Sequence, residues 1–150
     1  MTPRILAIDF GTKRIGLAVS DGLGITAQGL ATLERTQIDR DLQRIAGLAE
    51  EHAVERVIVG HPLSASGQAT AMSHRAAAFA AKLRRYVACP VEMWDERLTS
   101  VEANRVLRES GMGIEKRRRA ADRVAATLLL QQYLDRRAME REEESSRAER

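Results

Sequence analysis

Three acidic positions stand where acids are unusual. Asp9 closes the apolar run RILAIDF, residues 4–10. The pair Asp95-Glu96 follows the run VEMW, residues 91–94, and Asp122 lies in a segment that is apolar nearly all round after Ala120. A carboxylate in such surroundings needs a partner, because a dry, unpaired charge is costly. Each also has an ordinary explanation. Asp9 could cap a turn or pair with Lys13 or Arg14, Asp95-Glu96-Arg97 could be a polar loop with an internal ion pair, and Asp122 could be a first-turn acid favoured by the helix dipole. Brought together, three carboxylates repel and partly protonate unless a counter-charge is present. Divalent cations would supply it, and an all-oxygen donor set suits Mg²⁺ or Mn²⁺ rather than zinc. The chemistry such a set serves is in-line hydrolysis of a phosphodiester.

The basic residues fit the same substrate. Lys13, Arg14, Arg97 and the block Lys116-Arg117-Arg118-Arg119 each lie a few residues from one of the acids. They could hold phosphates without reading sequence, or simply neutralise the acids beside them. Other chemistries find less support. His52, His61 and His74 show no ligand spacing, and His61 reads as a surface residue of the loop GHPLSASG. No Ser/His pattern suggests a triad. The single Cys89 excludes an internal disulfide and a multi-Cys zinc site. It reads as a small packed residue before a strand.

The elements that must position these residues are legible from periodicity. Arg4–Phe10 and Ile15–Ser20 read as strands, with a third between Ile25 and Leu33 and a tight turn at Asp21-Gly22. Short links of this kind give an antiparallel meander. Ile38, Leu42, Ile45 and Ala49 then recur at helical spacing. Val54–Val59 is the next strand, closed by Gly60. A helix carries Met72, Ala76, Phe79 and Leu83 on one face, and Val91–Trp94 is the last strand. A capping-box pattern, Thr99-Ser-Val-Glu102, starts a helix near Ser100 that Gly111 and Gly113 end. The final helix starts near Glu115. The order β-β-β-α-β-α-β-α-α implies a mixed five-stranded sheet, three strands in a meander and two reached by parallel crossovers, with helices on both faces. If the strands Arg4–Phe10 and Val91–Trp94 are neighbours, Asp9 and one acid of the Asp95-Glu96 pair meet at one sheet edge. The last helix can then cross that edge and add Asp122. Successive strand residues point to opposite faces, so only one acid of the pair should face the site.

Bulk properties agree. A chain of 150 residues favours one domain, and 44% hydrophobic residues exclude disorder of the whole. Aromatics are only 3%, which limits base stacking as a binding mode. The net charge of +3 is mildly favourable for a polyanionic partner. No signal peptide or membrane span is evident, so a cytoplasmic protein without membrane contact is expected. The domain is expected over residues 1–138. Residues 139–150 form a charged tail, a fraying helix end or disordered.

Four motifs together resemble one family. These are Asp9-Phe-Gly-Thr-Lys-Arg-Ile-Gly-Leu-Ala-Val-Ser-Asp21, Gly60-His-Pro-Leu with Gly67, Asp95-Glu-Arg-Leu-Thr-Ser100, and Asp122-Arg-Val-Ala-Ala-Thr-Leu-Leu-Leu-Gln131. They are similar, in order, to the motifs of the YqgF/RuvX family. The resemblance implies an RNase H-like α/β fold related to Holliday junction resolvases, and a nuclease maturing the 5′ end of pre-16S rRNA. It places the family's acids on Asp9, on the Asp95-Glu96 pair and on Asp122, with Glu96 favoured over Asp95 by analogy with resolvases. The implied catalytic and metal-holding set is therefore Asp9, Glu96 and Asp122. Lys13, Arg14, Arg97, Lys116, Arg117 and Arg118 are the expected nucleic-acid contacts. One departure lies in the middle loop, where Ser-Ala-Ser-Gly67 replaces the family's Asn-Met-Asp-Gly, which removes an acid. Three other readings remain: a resolvase of DNA junctions, which would need a homodimer rather than a monomer; a non-catalytic RNA-binding ribosome assembly factor; and a nucleotide-binding lobe of the actin-like kind, suggested by Asp-x-Gly-Thr.

Overall fold

The computed structural model describes residues 3–64, 66–95, 111 and 114–149, with side chains of the last helix from 124 onward. The elements are β1 (Arg4–Phe10), β2 (Arg14–Ser20), β3 (Ala27–Gly29), β4 (Leu33–Glu34), α1 (Ile38–Glu51), β5 (Val54–His61), α2 (Ala71–Leu83), β6 (Val91–Asp95) and α3 (Ile114–Ala148). The expected helix from Ser100 lies outside the described residues.

The sheet runs β3-β2-β1-β5-β6, with β4 also paired to β2. β1 and β2 are antiparallel, and β5 and β6 join in parallel. This is the expected mixed sheet, with two differences. The third meander strand is broken into β3 and β4, which pair with opposite ends of β2. And β1 and β6 are not neighbours: β5 lies between them. β5 lies between β1 and β6, and its buried stretch Val57-Ile58-Val59 is the apolar, β-branched run that a strand covered on both faces suits.

Alternation divides the strands between two cores. Leu6, Ile8, Phe10, Val57, Val59 and Val91 face α1 and α2, where they meet Leu42, Ile45, Phe79 and Leu83. Ile5, Ala7, Ala18 and Ile58 face α3, where they meet Ala126, Leu129, Leu130, Tyr133 and Leu134. α1 buries Leu42, Ile45 and Ala49, the row read from the sequence. α2 starts at a capping box in which Thr70 and Ser73 exchange side-chain-to-backbone bonds. α3 runs unbroken to Ala148, and residues 138–148 are exposed. Among the described residues no helix is long and apolar enough to cross a membrane.

Candidate active site

Asp9 is the anchor. It is half-buried near the C-terminal end of β1. Its neighbours on the chain, Ile8 and Phe10, belong to the α1/α2 core, whereas Ala7 and Ile5 belong to the α3 core. Asp9 therefore falls on the sheet face that α3 covers.

Both strands beside Asp9 present glycine at its level. Gly16 of β2 is its registered partner. On the other side the last registered pair is Ile8 with Val59, so Gly60 comes level with Asp9 one residue on. Gly60 is in turn registered with Trp94. Across the sheet the row thus reads Gly16, Asp9, Gly60, Trp94, so neither strand beside Asp9 carries a side chain level with it. Glycine inside a strand often marks a place where a ligand comes close to the backbone. Sequence reasoning singles out neither glycine as functional. The signal is there, in two glycines interrupting strands rich in β-branched residues.

The turn leaving Asp9 is tight. Gly11 N–H donates to the Arg14 carbonyl at 2.9 Å. Lys13 is exposed on this turn and Arg14 opens β2, so both expected phosphate contacts sit beside Asp9. Asp9 and Arg14 are each engaged by neighbours. From the opposite face, Arg35 binds the turn through the Gly11 and Thr12 carbonyls, at 3.5 and 3.3 Å.

Asp122 lies on α3, whose side chains are described only from 124 on. Its position is informative. The two overlapping apolar rows of this helix are resolved: Ala125, Ala126, Leu129 and Leu130 are buried, while Val124 and Leu128 are half-exposed. Position 122 precedes Ala126 by one helical turn and Leu129 by two. Gln131 on this helix bonds Ala27 N–H and the Ile25 carbonyl, level with the start of β1. The eleven steps from Tyr133 back to position 122 span roughly 16 Å of helix. The strand from Ile5 to Asp9 spans roughly 13 Å.

Asp95 ends β6, registered with His61. Met93 packs on the α1/α2 core and Trp94 on the α3 core. Asp95 therefore falls on the face away from Asp9. His61 shares that face with Val57 and Val59. It ends β5 half-buried, which corrects its reading as a surface loop residue. Glu96 and Arg97 lie outside the described residues. Lys116, Arg117 and Arg118 lie in the first turns of α3, where only the backbone is described. Among the described residues no group of three His, Cys, Asp or Glu could hold a metal ion. Cys89 is half-buried against the α1/α2 core, as expected, and burial pushes its thiol pKa up.

Comparison with known proteins gives the setting. A family model described as RuvX, Holliday junction resolvase, matches residues 3–136. A protein of Koribacter versatilis named "Putative pre-16S rRNA nuclease" is 56% identical over 140 residues, covering 93% of this chain and 92% of its own. One of the same name from Halalkalibacterium halodurans is 46% identical over 135 residues, covering 89% and 96%. Among solved structures, Thermus thermophilus RuvC bound to a Holliday junction superposes at TM-score 0.52 and 15% identity, covering 85% of this chain and 92% of that one. That likeness carries the fold, an RNase H-like mixed sheet. The chain belongs to the RuvX Holliday junction resolvase family.

Proposed function

We propose that this protein is a metal-dependent nuclease that hydrolyses phosphodiester bonds in the 5′ leader of pre-16S rRNA. The names of its relatives support the substrate. The observation that carries the chemistry is Asp9 between Gly16 and Gly60, on the sheet face crossed by the helix of Asp122. Asp9, Glu96 and Asp122 would hold the ions. Asp95 falls on the far face from Asp9, which favours its neighbour Glu96 as the acid of the site.

An all-carboxylate donor set fits Mg²⁺ or Mn²⁺. Bound there, the ions would lower the pKa of a water and neutralise charge on the phosphate. Glycine on both sides of Asp9 would let the phosphate come close to the backbone. Lys13 and Arg14 sit where they can orient it from the β1–β2 turn, with Arg97, Lys116, Arg117 and Arg118 as further contacts. A reaction on pre-rRNA would put the protein to work in the cytoplasm.

The test is a cleavage assay with Mg²⁺ or Mn²⁺ on pre-16S leader RNA, unrelated single-stranded RNA and four-way junction DNA. Leader cleavage that needs the metal and disappears in Asp9→Asn supports the reading. Cleavage surviving Asp9→Asn overturns the mechanism. No cleavage of any substrate, with RNA still bound, would leave an RNA-binding assembly factor. The family's description favours one second reading, resolution of DNA junctions. That activity needs two sites and hence a homodimer, so junction cleavage by a dimer, with the leader untouched, would replace the first.

A further inference from the structure

The row Gly16, Asp9, Gly60, Trp94 does not end at an inert side chain. The Trp94 ring meets Tyr133 of α3 edge-on, with centroids 5.0 Å apart. The Tyr133 hydroxyl accepts from two guanidinium groups, Arg56 Nη1 at 3.2 Å and Arg137 Nη1 at 3.1 Å. The Arg137 guanidinium carbon also lies 5.7 Å from the Tyr133 ring centroid. A third guanidinium, on Arg136, lies 5.9 Å from the Trp94 ring centroid.

Three arginines thus gather on two aromatic rings; Trp94 is level with Asp9, and Arg56, registered with Ile5, lies four strand residues back toward the start of β5. Among the described residues a single carboxylate answers them: Glu92, 3.4 Å from Arg56. Among the described residues Arg136 and Arg137 make no ion pair. Two positive charges therefore remain. Arg136 is exposed, and Arg137 and Trp94 are half-exposed. The cations must repel one another, and a phenol oxygen supplies only a dipole between them. Guanidinium groups backed by aromatic faces suit one kind of polyanion well: a single nucleic-acid strand, with phosphates on the arginines and a base against the ring.

We propose that Trp94, Arg56, Arg136 and Arg137 form a second binding surface for single-stranded nucleic acid, holding the flank of a substrate whose scissile phosphate lies at Asp9. The inference rests on the nuclease reading and adds a direction to it. From Asp9 the strand passes over Gly60, reaches Trp94 about 10 Å away across two strand spacings, and turns there toward Arg56 and the arginines of α3, on the side of the start of β1. None of these four residues belongs to the phosphate contacts read from the motifs. A purely structural role, in which arginine stems cover the edges of the rings, would be felt in stability. A role in holding the strand would be felt in affinity and salt dependence.

The experiment measures binding of a labelled single-stranded oligouridylate to the full chain carrying Asp9→Asn, without and with Arg136→Gln/Arg137→Gln. The double substitution should weaken binding several-fold. It should lower the slope of log affinity against log salt by about 0.7 for each phosphate that an arginine no longer neutralises. Trp94 is the only tryptophan of the chain, so its emission reports on the surface directly and should be quenched when the oligonucleotide binds. Arg136→Gln alone, which removes only an exposed cation from the ring, serves if the double variant melts early. Equal affinity and slope in parent and variants, or emission indifferent to bound RNA, overturns the inference while leaving the nuclease intact. A wild-type chain that neither binds nor cleaves RNA or DNA overturns the nuclease reading and this inference with it.

Discussion

The Arg35 guanidinium lies over the Phe10 ring, 4.6 Å from its centroid, one residue past Asp9 on β1. Arg35 also reaches the Gly11 and Thr12 carbonyls, and its Nε is 3.9 Å from the Asp41 carboxylate. Asp41 is fully buried in the first turns of α1 and accepts from the Thr36 N–H and hydroxyl. The β1–β2 turn is therefore tied to α1 through one arginine and one buried acid. Asp41→Ala strands both Thr36 donors and leaves Arg35 without its counter-charge. It should cost about 2–4 kcal/mol in urea unfolding. A loss below about 1 kcal/mol, the worth of an exposed ion pair, would show that the network does not hold the turn.

The glycines beside Asp9 give a second expectation. Gly60→Ala puts a methyl on the face of the carboxylate, in the row between Asp9 and Trp94. Cleavage should fall by roughly 10- to 100-fold, because small displacements of reacting groups are costly. A strand gains little or loses little from alanine in place of glycine. Rate and melting temperature measured on one preparation separate the two effects. A variant that cleaves at the wild-type rate would mean that the phosphate does not approach over Gly60.

Much of this is legible in the sequence, for physical reasons. Apolar runs such as RILAIDF form strands whatever lies around them. The spacing of Leu42, Ile45 and Ala49 admits one helical face. Strand order is less accessible, because it depends on which crossovers pack, and so β5 comes between β1 and β6. The row buried on α3 is ambiguous for another reason: a helix apolar nearly all round offers two faces, and only the sheet chooses. The capping box at Thr70 is hard to see because Ser73 stands where glutamate or glutamine is the usual signature. Tyr133 and Arg56 are 77 residues apart in sequence, and no local pattern announces that they meet. Of the candidate site, motif order marks the three acids, while the glycine clearing needs strand register.

Backbone strain supplies a third expectation. Ala53, just past α1, has φ of 52°, in the left-handed region. Its N–H still bonds the Glu50 carbonyl, as a helix-terminating residue should. Glycine takes this conformation without the penalty an L side chain meets. Ala53→Gly should raise stability by up to about 1 kcal/mol, visible as a higher urea midpoint at unchanged slope. A lower midpoint would contradict it.

Asp21 makes the acid limb of stability testable. Its carboxylate accepts from the Ile25 and Thr26 N–H groups at 2.9 and 3.3 Å. The Ile25 bond foremost, then those of Thr26 and Gly24, holds its pKa below the ordinary 3.8, against some desolvation. A group whose folded pKa is depressed stabilises above its unfolded value, and that stability is lost as pH falls through the folded one. Wild type should therefore exceed Asp21→Asn in melting temperature near neutrality. The gap should close as pH drops below 3.8. A gap constant across that range would assign the difference to packing of the turn.

The last expectation separates two adjacent acids. Asp95 is registered with His61 and, by alternation from Met93, lies on the face of α1 and α2. Asp9 lies on the face of α3. A charge on Asp95 would have to cross the sheet to act beside Asp9. Asp95 is engaged by neighbours of its own, so Asp95→Asn should change stability while leaving cleavage within a few-fold of wild type. Glu96→Gln keeps the size of the side chain and removes its charge. Residues that merely orient metal ligands are worth about 10- to 100-fold in affinity or activity, and removal of a ligand itself should exceed that. Steady-state cleavage across a metal titration reads both variants. If high Mn²⁺ restores Glu96→Gln in part, while Asp95→Asn needs no rescue, the acid after β6 holds metal. If Asp95→Asn is the inactive variant, the alternation that sets Asp95 on the face away from Asp9 does not extend to the end of β6.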